Sequence, residues 1–218
     1  TVVSDSSMGR YFVNTLVVTA LCILATTALA VHAAYGSVRF RFRGRDTLLF
    51  ALLATSMIPG IALLAPLYAL STQFGLYDSR VALVLAYTAW QTPTAIWLMR
   101  GFIENLPREI DDAASVDGCS KYQAFRLIVV PLVRPGLAAA AVLIFVNVWN
   151  DFLFAAALTL SDDVRTLQVG LYRYLGDVGV EWGRLTAYPV LSVLPIIVVF
   201  VWLQRRFIEG LSAGAVKG

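Results

Sequence analysis

Long apolar stretches without a single Lys, Arg, Asp or Glu constrain this chain more than any other feature, the first being YFVNTLVVTALCILATTALAVHAA at positions 11–34. A run of about 18 or more apolar residues reads as a helix that spans a membrane, because at 1.5 Å per residue it covers ~30 Å of hydrocarbon. Five stretches qualify: 11–34, 48–70, 81–99, 132–158 and 185–203, the fourth carrying Asp151. Charged residues make up only 14% of the chain, against roughly 25% in globular proteins. The expected fold class is therefore all-α, a polytopic membrane protein with five transmembrane helices.

Charge placement orients those helices, since Lys and Arg near span ends are retained on the cytoplasmic side. One set of connections holds Arg39, Arg41, Arg43, Arg45, Arg100, Arg108, Lys121, Arg126, Arg134, Arg205, Arg206 and Lys217; the other holds Arg10, Arg80, Arg165, Arg173 and Arg184. Twelve against five puts the 100–131 loop and the 204–218 tail inside and the N-terminal end of the chain outside. The stretch before the first span, TVVSDSSMG, reads as an outside strand or loop. In the external 161–184 loop, Leu167, Leu171, Tyr172, Tyr174 and Leu175 are spaced for a short surface helix, to dock a partner or to rest on headgroups.

Several functions are excluded or left without a carrier. A net charge of +3 with no Lys/Arg stripe among aromatics does not fit nucleic acid. No G-x-x-x-x-G-K-[ST] phosphate loop occurs, so ATP hydrolysis by that route is absent. His32 is the single histidine and reads as a satisfied interfacial residue, while Cys22 and Cys119 fit neither a metal site nor a disulfide framework. Thr1 opens the chain without a charged segment leading to a cleavage site.

The polar interlude PREIDDAASVDGCSKYQAFRLIVVP (107–131) interrupts this pattern. Pro107 suits a helix start, and Glu109 and Asp111 follow where the positive end of a helix favours acids. Gly118 supplies the stop, and Ser120 with Gln123 has the spacing of a capping box that opens a second helix. Helix, glycine corner, helix is the expected motif, lying along the inner face. Ile110, Ala113, Ala114 and Asp117 share one side of the first helix, and Asp111, Asp112 and Ser115 the neighbouring side, where the acids are offered to a partner. Its small and acidic residues fit a groove on a basic partner, or else simply cap a solvated loop.

Polar residues within spans are costly and mark either a solute pathway or helix–helix glue. Asn147, Asn150 and Asp151, at i, i+3 and i+4, are expected on one helical face in the outer half, with Trp149 nearby as an apolar platform for a sugar. Gln91 and Thr92, before Pro93, form a second polar break, and Met57-Ile58-Pro59-Gly60 is an expected kink.

The interlude resembles the EAA loop of ATP-binding-cassette importer permeases, a pattern of Glu-Ala-Ala, two residues, Asp-Gly, and later Phe and Leu-Pro. The matching residues are Asp112, Ala113, Ala114, Asp117, Gly118, Phe125, Val130 and Pro131, with Asp in place of Glu and Val in place of Leu. The likeness extends through Asn14-Thr15-Leu16, WNDF (149–152) and the ending QRRFIEGLSAGAVKG (204–218), and is closest to the carbohydrate branch of maltose and glycerol-phosphate permeases.

That resemblance implies one transmembrane permease domain over 1–218 that forms half of a sugar pathway and is not an enzyme. Implied partners are a second permease, an extracytoplasmic solute-binding protein and two cytoplasmic ATPases that carry ATP and Mg. Glu109 and the matching loop residues would then be the coupling helix. Such permeases usually have six spans, so an earlier one is expected ahead of this sequence. Without the resemblance, an ion-coupled secondary transporter or a membrane sensor or scaffold also fits the spans, and Asp151 is the one acid placed to titrate.

Overall fold

The computed structural model describes residues 6–172, 190, 192–199 and 201. Every regular element among them is helical, in the order α1 (Ser6–Arg39), α2 (Arg45–Ser56), α3 (Gly60–Gln73), α4 (Arg80–Glu104), α5 (Glu109–Val116) and α6 (Lys121–Ala124). A π-helical turn (Phe125–Val129) leads into α7 (Val130–Leu132), then α8 (Arg134–Asn150), α9 (Leu153–Leu158) and α10 (Leu167–Tyr172). The all-α expectation holds. Helix is the economical choice for so apolar a chain, because it satisfies each backbone N–H and C=O within the segment.

The core lies where α1 and α4 pack along their lengths, with α8 against both. Small residues permit the close approach: Cys22, Ala30 and Ala34 of α1 are fully buried and meet Leu83, Ala86, Tyr87 and Met99 of α4. Gly136 brings the start of α8 onto α4, since a Cβ there would lie 2.6 Å from the Phe102 ring. Pro93 sits inside α4, where it removes one helical hydrogen bond, and the hydroxyl of Thr92, the residue just before it, donates to the Thr88 carbonyl one turn back at 2.6 Å.

Several expected spans change in detail. The helix begins by Ser6, so the last part of TVVSDSSMG is helical rather than strand or loop, and residues 1–5 lie outside the described residues. Among the described residues α1 alone is long and apolar enough to cross a bilayer unaided. The 48–70 stretch is two helices, α2 and α3, bent by 97°. Pro59 turns extended to begin α3, and Gly60 lets Trp90 approach to 3.2 Å of where a Cβ would stand.

The 132–158 stretch is likewise broken. A 70° bend at Val133, between Pro131 and Pro135, separates the 121–132 segment from α8, and α8 itself stops at Asn150. The 81–99 stretch lies within α4. Of the 185–203 stretch, 192–199 is a continuous helical run and 190 and 201 are helical, while the rest of it and the 204–218 tail lie outside the described residues.

Candidate functional site

Two polar regions lie at opposite ends of α1, and the polar break sits beside α4. At the C-terminal end of α1 the interlude folds as its local chemistry dictates. Acids occupy the first turn of α5, and the helix closes on Gly118 at φ +82°, a left-handed conformation that glycine adopts without strain. Ser120 then caps α6: its hydroxyl accepts from the Gln123 N–H at 3.2 Å, and the Gln123 side chain accepts from the Ser120 N–H at 2.7 Å.

α5 has two unlike faces. Ala114 is buried, while Glu109, Asp112, Ala113, Val116 and Asp117 face outward, Val116 with 88% of its surface free. The acids therefore do not act alike. Asp111 turns inward, its Oδ2 2.8 Å from Nε of Arg39 at the end of α1, with the two side chains only 12% and 8% exposed. Tyr35 donates its hydroxyl to Asp111 Oδ1 at 3.0 Å, and Arg39 donates to the Leu106 carbonyl at 3.1 Å. The expectation that Asp111 is offered outward along with Asp112 is corrected: a buried cation on α1 holds it.

Phe125 is buried in the π-helical turn against Tyr35, ring centroids 4.8 Å apart, and against His32 at 4.7 Å. Its role at this corner is packing onto α1. Pro131 is half-buried just before the bend. His32 also has its Nδ1 2.7 Å from the Ala28 carbonyl, the satisfied state expected of it.

The polar break disperses what the sequence grouped. Asn147 donates to Gln91 Oε1 at 3.4 Å, which brings the two expected polar breaks together. Gln91 is 5% exposed and Thr92 is half-buried, whereas Asn147 and Asn150 are exposed. Asn150 donates to the Val146 carbonyl one turn back. Asp151 does not share their face, because α8 has already ended and its backbone is extended. It turns to α4 instead, where Oδ2 accepts from the Tyr87 hydroxyl at 2.7 Å and from the Phe154 N–H at 3.0 Å, capping α9.

Trp149 is also corrected. It is wholly buried, stacked on Phe145 and edge-on to Phe12, and its indole N–H donates to the Ser192 carbonyl at 3.0 Å. No ring face remains for a sugar. Leu167, expected on a surface helix, is buried in the same cluster, while Leu171 is half-buried and Tyr172 exposed. Tyr174 and Leu175 lie outside the described residues.

A third cluster, at the N-terminal end of α1, escaped the sequence reading. Asn14 donates to the carbonyls of Asp163 and Arg165 at 2.9 and 3.0 Å and accepts from Arg80 at 3.0 Å. Thr15 accepts from the Leu167 N–H at 2.8 Å, and Tyr11 donates to Asp162. Asp78, with φ +59°, binds the N–H groups of Leu160 and Ser161 at 2.8 and 3.0 Å. Slight burial raises its carboxyl, but those two bonds and nearby Arg165 outweigh it and hold the pKa below the ordinary carboxylate value. The signal was the Asn-Thr-Leu triplet, whose polar pair falls at the start of an apolar run.

Residues 26–212 match the family described as binding-protein-dependent transport system inner membrane component, and the chain belongs to that family. A sulfoquinovosyl glycerol transport system permease protein of Agrobacterium fabrum is 34% identical over 99% of this chain and 75% of its own. The trehalose/maltose transport system permease protein of Thermococcus litoralis is 32% identical over 100% of this chain and 79% of its own. A trehalose transport system permease protein of Mycobacterium tuberculosis is 38% identical over 89% and 73%.

Among solved structures, a bacterial ABC transporter involved in the import of the acidic polysaccharide alginate superposes with a TM-score of 0.83, at 24% identity over 94% of this chain and 77% of that one. The MetNI methionine ABC transporter gives 0.72 at 17% identity, over 93% and 94%. The fold is theirs.

Proposed function

We propose that this chain forms half of the translocation pathway of an ATP-driven importer for a sugar or sugar derivative, and that α5 is where ATPase motion enters it. The observation that carries this reading is the asymmetry of α5. One side is pinned to α1 through Arg39 and Asp111, and the other presents Asp112, Ala113, Val116 and Asp117 to a partner. An exposed helical face with an apolar residue among acids fits a groove on a second protein. The names of these three relatives, permeases for trehalose, trehalose/maltose and sulfoquinovosyl glycerol, support the solute class.

In this reading 1–218 is a single transmembrane domain in the bacterial inner membrane with five crossings, the bent pairs α2–α3 and α6–α8 each counting once. The Arg-rich end lies inside. Partners are a second permease, two ATPases that bind ATP and Mg, and an extracytoplasmic solute-binding protein. Closure of the ATPases displaces α5, and α1, tied to it, carries the displacement to the Asn14 clasp at the far end as alternating access. Asn147, Asn150, Gln91 and Thr92 offer hydrogen bonds to solute hydroxyls.

Ion coupling through Asp151 is disfavoured, because Tyr87 and the start of α9 already occupy its carboxylate. Co-expression with a cognate ATPase and affinity purification in mild detergent tests the proposal. A stable complex, with ATPase activity that rises with solute and binding protein, is expected. A chain that transports its solute with no ATPase bound overturns it.

A further inference from the structure

Beside α5, between the end of α1 and the start of α2, lies a cavity of about 610 Å³ lined by Arg41, Phe42, Gly44, Arg45, Asp46, Thr47 and Arg108. Three arginines and one carboxylate line it, and Asp46 is engaged by Arg45 Nε at 2.9 Å. Arg108 gives one long bond, 3.4 Å, to the Val38 carbonyl, and Arg41 has no partner among the described residues. Each guanidinium has five N–H donors in a planar fork suited to phosphate oxygens, so most of this capacity is unused. Gly44, whose φ of +83° turns the chain here, has nothing within 4 Å of its Cβ position.

The surroundings decide which anion fits. Phe42 lines the cavity and is exposed, and Phe40, Leu48 and Phe50, its neighbours in sequence, are exposed too, Phe50 with 71% of its surface free. In the RFRFRGR segment arginines alternate with phenylalanines, so charge and apolar surface are presented together, as at a bilayer interface. A soluble anion would use the arginines and leave the rings in water.

We propose that this cavity binds the phosphate of an anionic phospholipid headgroup, with Arg41 and Arg108 as its principal donors. The proposal rests on the reading that this end of the bundle lies at the inner membrane surface. Arg108 immediately precedes α5, so the lipid steadies the approach to the coupling helix and makes its motion sensitive to headgroup charge.

The test uses the complete transporter in nanodiscs made of equal parts phosphatidylcholine and phosphatidylglycerol. Lipid retained after detergent extraction is counted by native mass spectrometry. Wild type and Arg43→Gln, a residue off the cavity, should retain phosphatidylglycerol in preference to phosphatidylcholine. Arg41→Gln and Arg108→Gln should each lower retention about five-fold, on the order of one basic contact to the membrane surface. Equal retention in wild type and both variants overturns the proposal. So does displacement by millimolar inorganic phosphate, which would assign the site to a soluble anion, or loss of the ATPase with lipid retention unchanged, which would assign the arginines to that partner. Labelling of Arg41→Cys by an impermeant thiol reagent added outside intact cells contradicts the underlying orientation instead, and is scored separately.

Discussion

Asp111 of the short helix α5 and Arg39 of the long helix α1 form an ion pair at 2.8 Å that is almost fully withdrawn from solvent. Neither Arg39 Nε nor Asp111 Oδ2 has a hydrogen-bond partner beyond this pairing, so each atom relies on the other. Leaving one buried charge without its partner costs about 3–5 kcal/mol, whereas replacing both with apolar groups costs far less. Asp111→Ala is therefore expected to lower the thermal stability of the purified transporter sharply, and Arg39→Met with Asp111→Leu to restore most of it. Both forms should hydrolyse ATP with little solute uptake, because α5 is no longer tied to α1. Full uptake in the restored double variant would show that the pair serves folding only.

Gly118 has room for a side chain but not the backbone conformation for one. Nothing lies within 4 Å of its Cβ position, yet its φ is +82°. A β-branched residue there costs about 1–3 kcal/mol of backbone strain, while asparagine tolerates the left-handed region. Gly118→Val should insert into the membrane normally and lose coupling between ATPase rate and uptake, and Gly118→Asn should stay near wild type. Parallel uptake and ATPase assays on vesicles separate the two outcomes.

The Asp78 carboxylate links the turn before α4 to residues 160 and 161, and its pKa is held below the ordinary value. The sign follows: its stabilising contribution is present at pH values above the unfolded aspartate pKa of about 3.9 and is lost as pH falls through the lower folded value. Acid should loosen the 159–161 connection below about pH 4. Hydrogen exchange at Leu160 and Ser161 is expected to speed up in that window in wild type. Asp78→Ala should show the fast rate already at neutral pH.

Trp149 and Asn147, two residues apart, should fail differently. Trp149→Ala empties a fully buried site and is expected to cost about 3–5 kcal/mol of stability. Asn150→Ala removes an exposed polar group and should leave stability nearly unchanged, whereas Asn147→Ala also leaves the buried Gln91 side-chain oxygen unpaired and should cost about 1–3 kcal/mol. Each should weaken apparent solute affinity about five-fold, the loss of one hydrogen bond. Melting curves set beside uptake kinetics distinguish these. Unchanged affinity in both asparagine variants would make them helix-packing residues.

What could be read from the sequence was what depends on near neighbours. The helix–glycine–helix corner, the Ser120–Gln123 capping box and the kink at Pro59 follow from residues within a few positions, and all three are present. Partners brought together by packing could not be read the same way. Arg39 looked like one of several basic residues at a span end, and only the meeting of α1 and α5 makes it the partner of Asp111. The i, i+4 rule failed for Asp151 because α8 ends one residue earlier, at Asn150. Trp149 was misplaced because an aromatic residue in an apolar run has the same pattern whether it faces a pathway or the core. Asn14 was visible as part of a triplet, but its partners lie far along the chain, at Arg80, Asp163 and Arg165.

The proposed coupling requires a nucleotide-driven partner to act on the outward face of α5. Ala113 is exposed on that face. Ala113→Cys, in a background with Cys119→Ser, can be tested for disulfide or short-linker crosslinking to the ATPase in the assembled transporter, with and without nucleotide. An efficient crosslink to the ATPase is expected, and none from Thr27→Cys near the middle of α1. An Ala113→Cys that stays uncrosslinked in a complex that still transports, or that is labelled from outside intact cells, would contradict it.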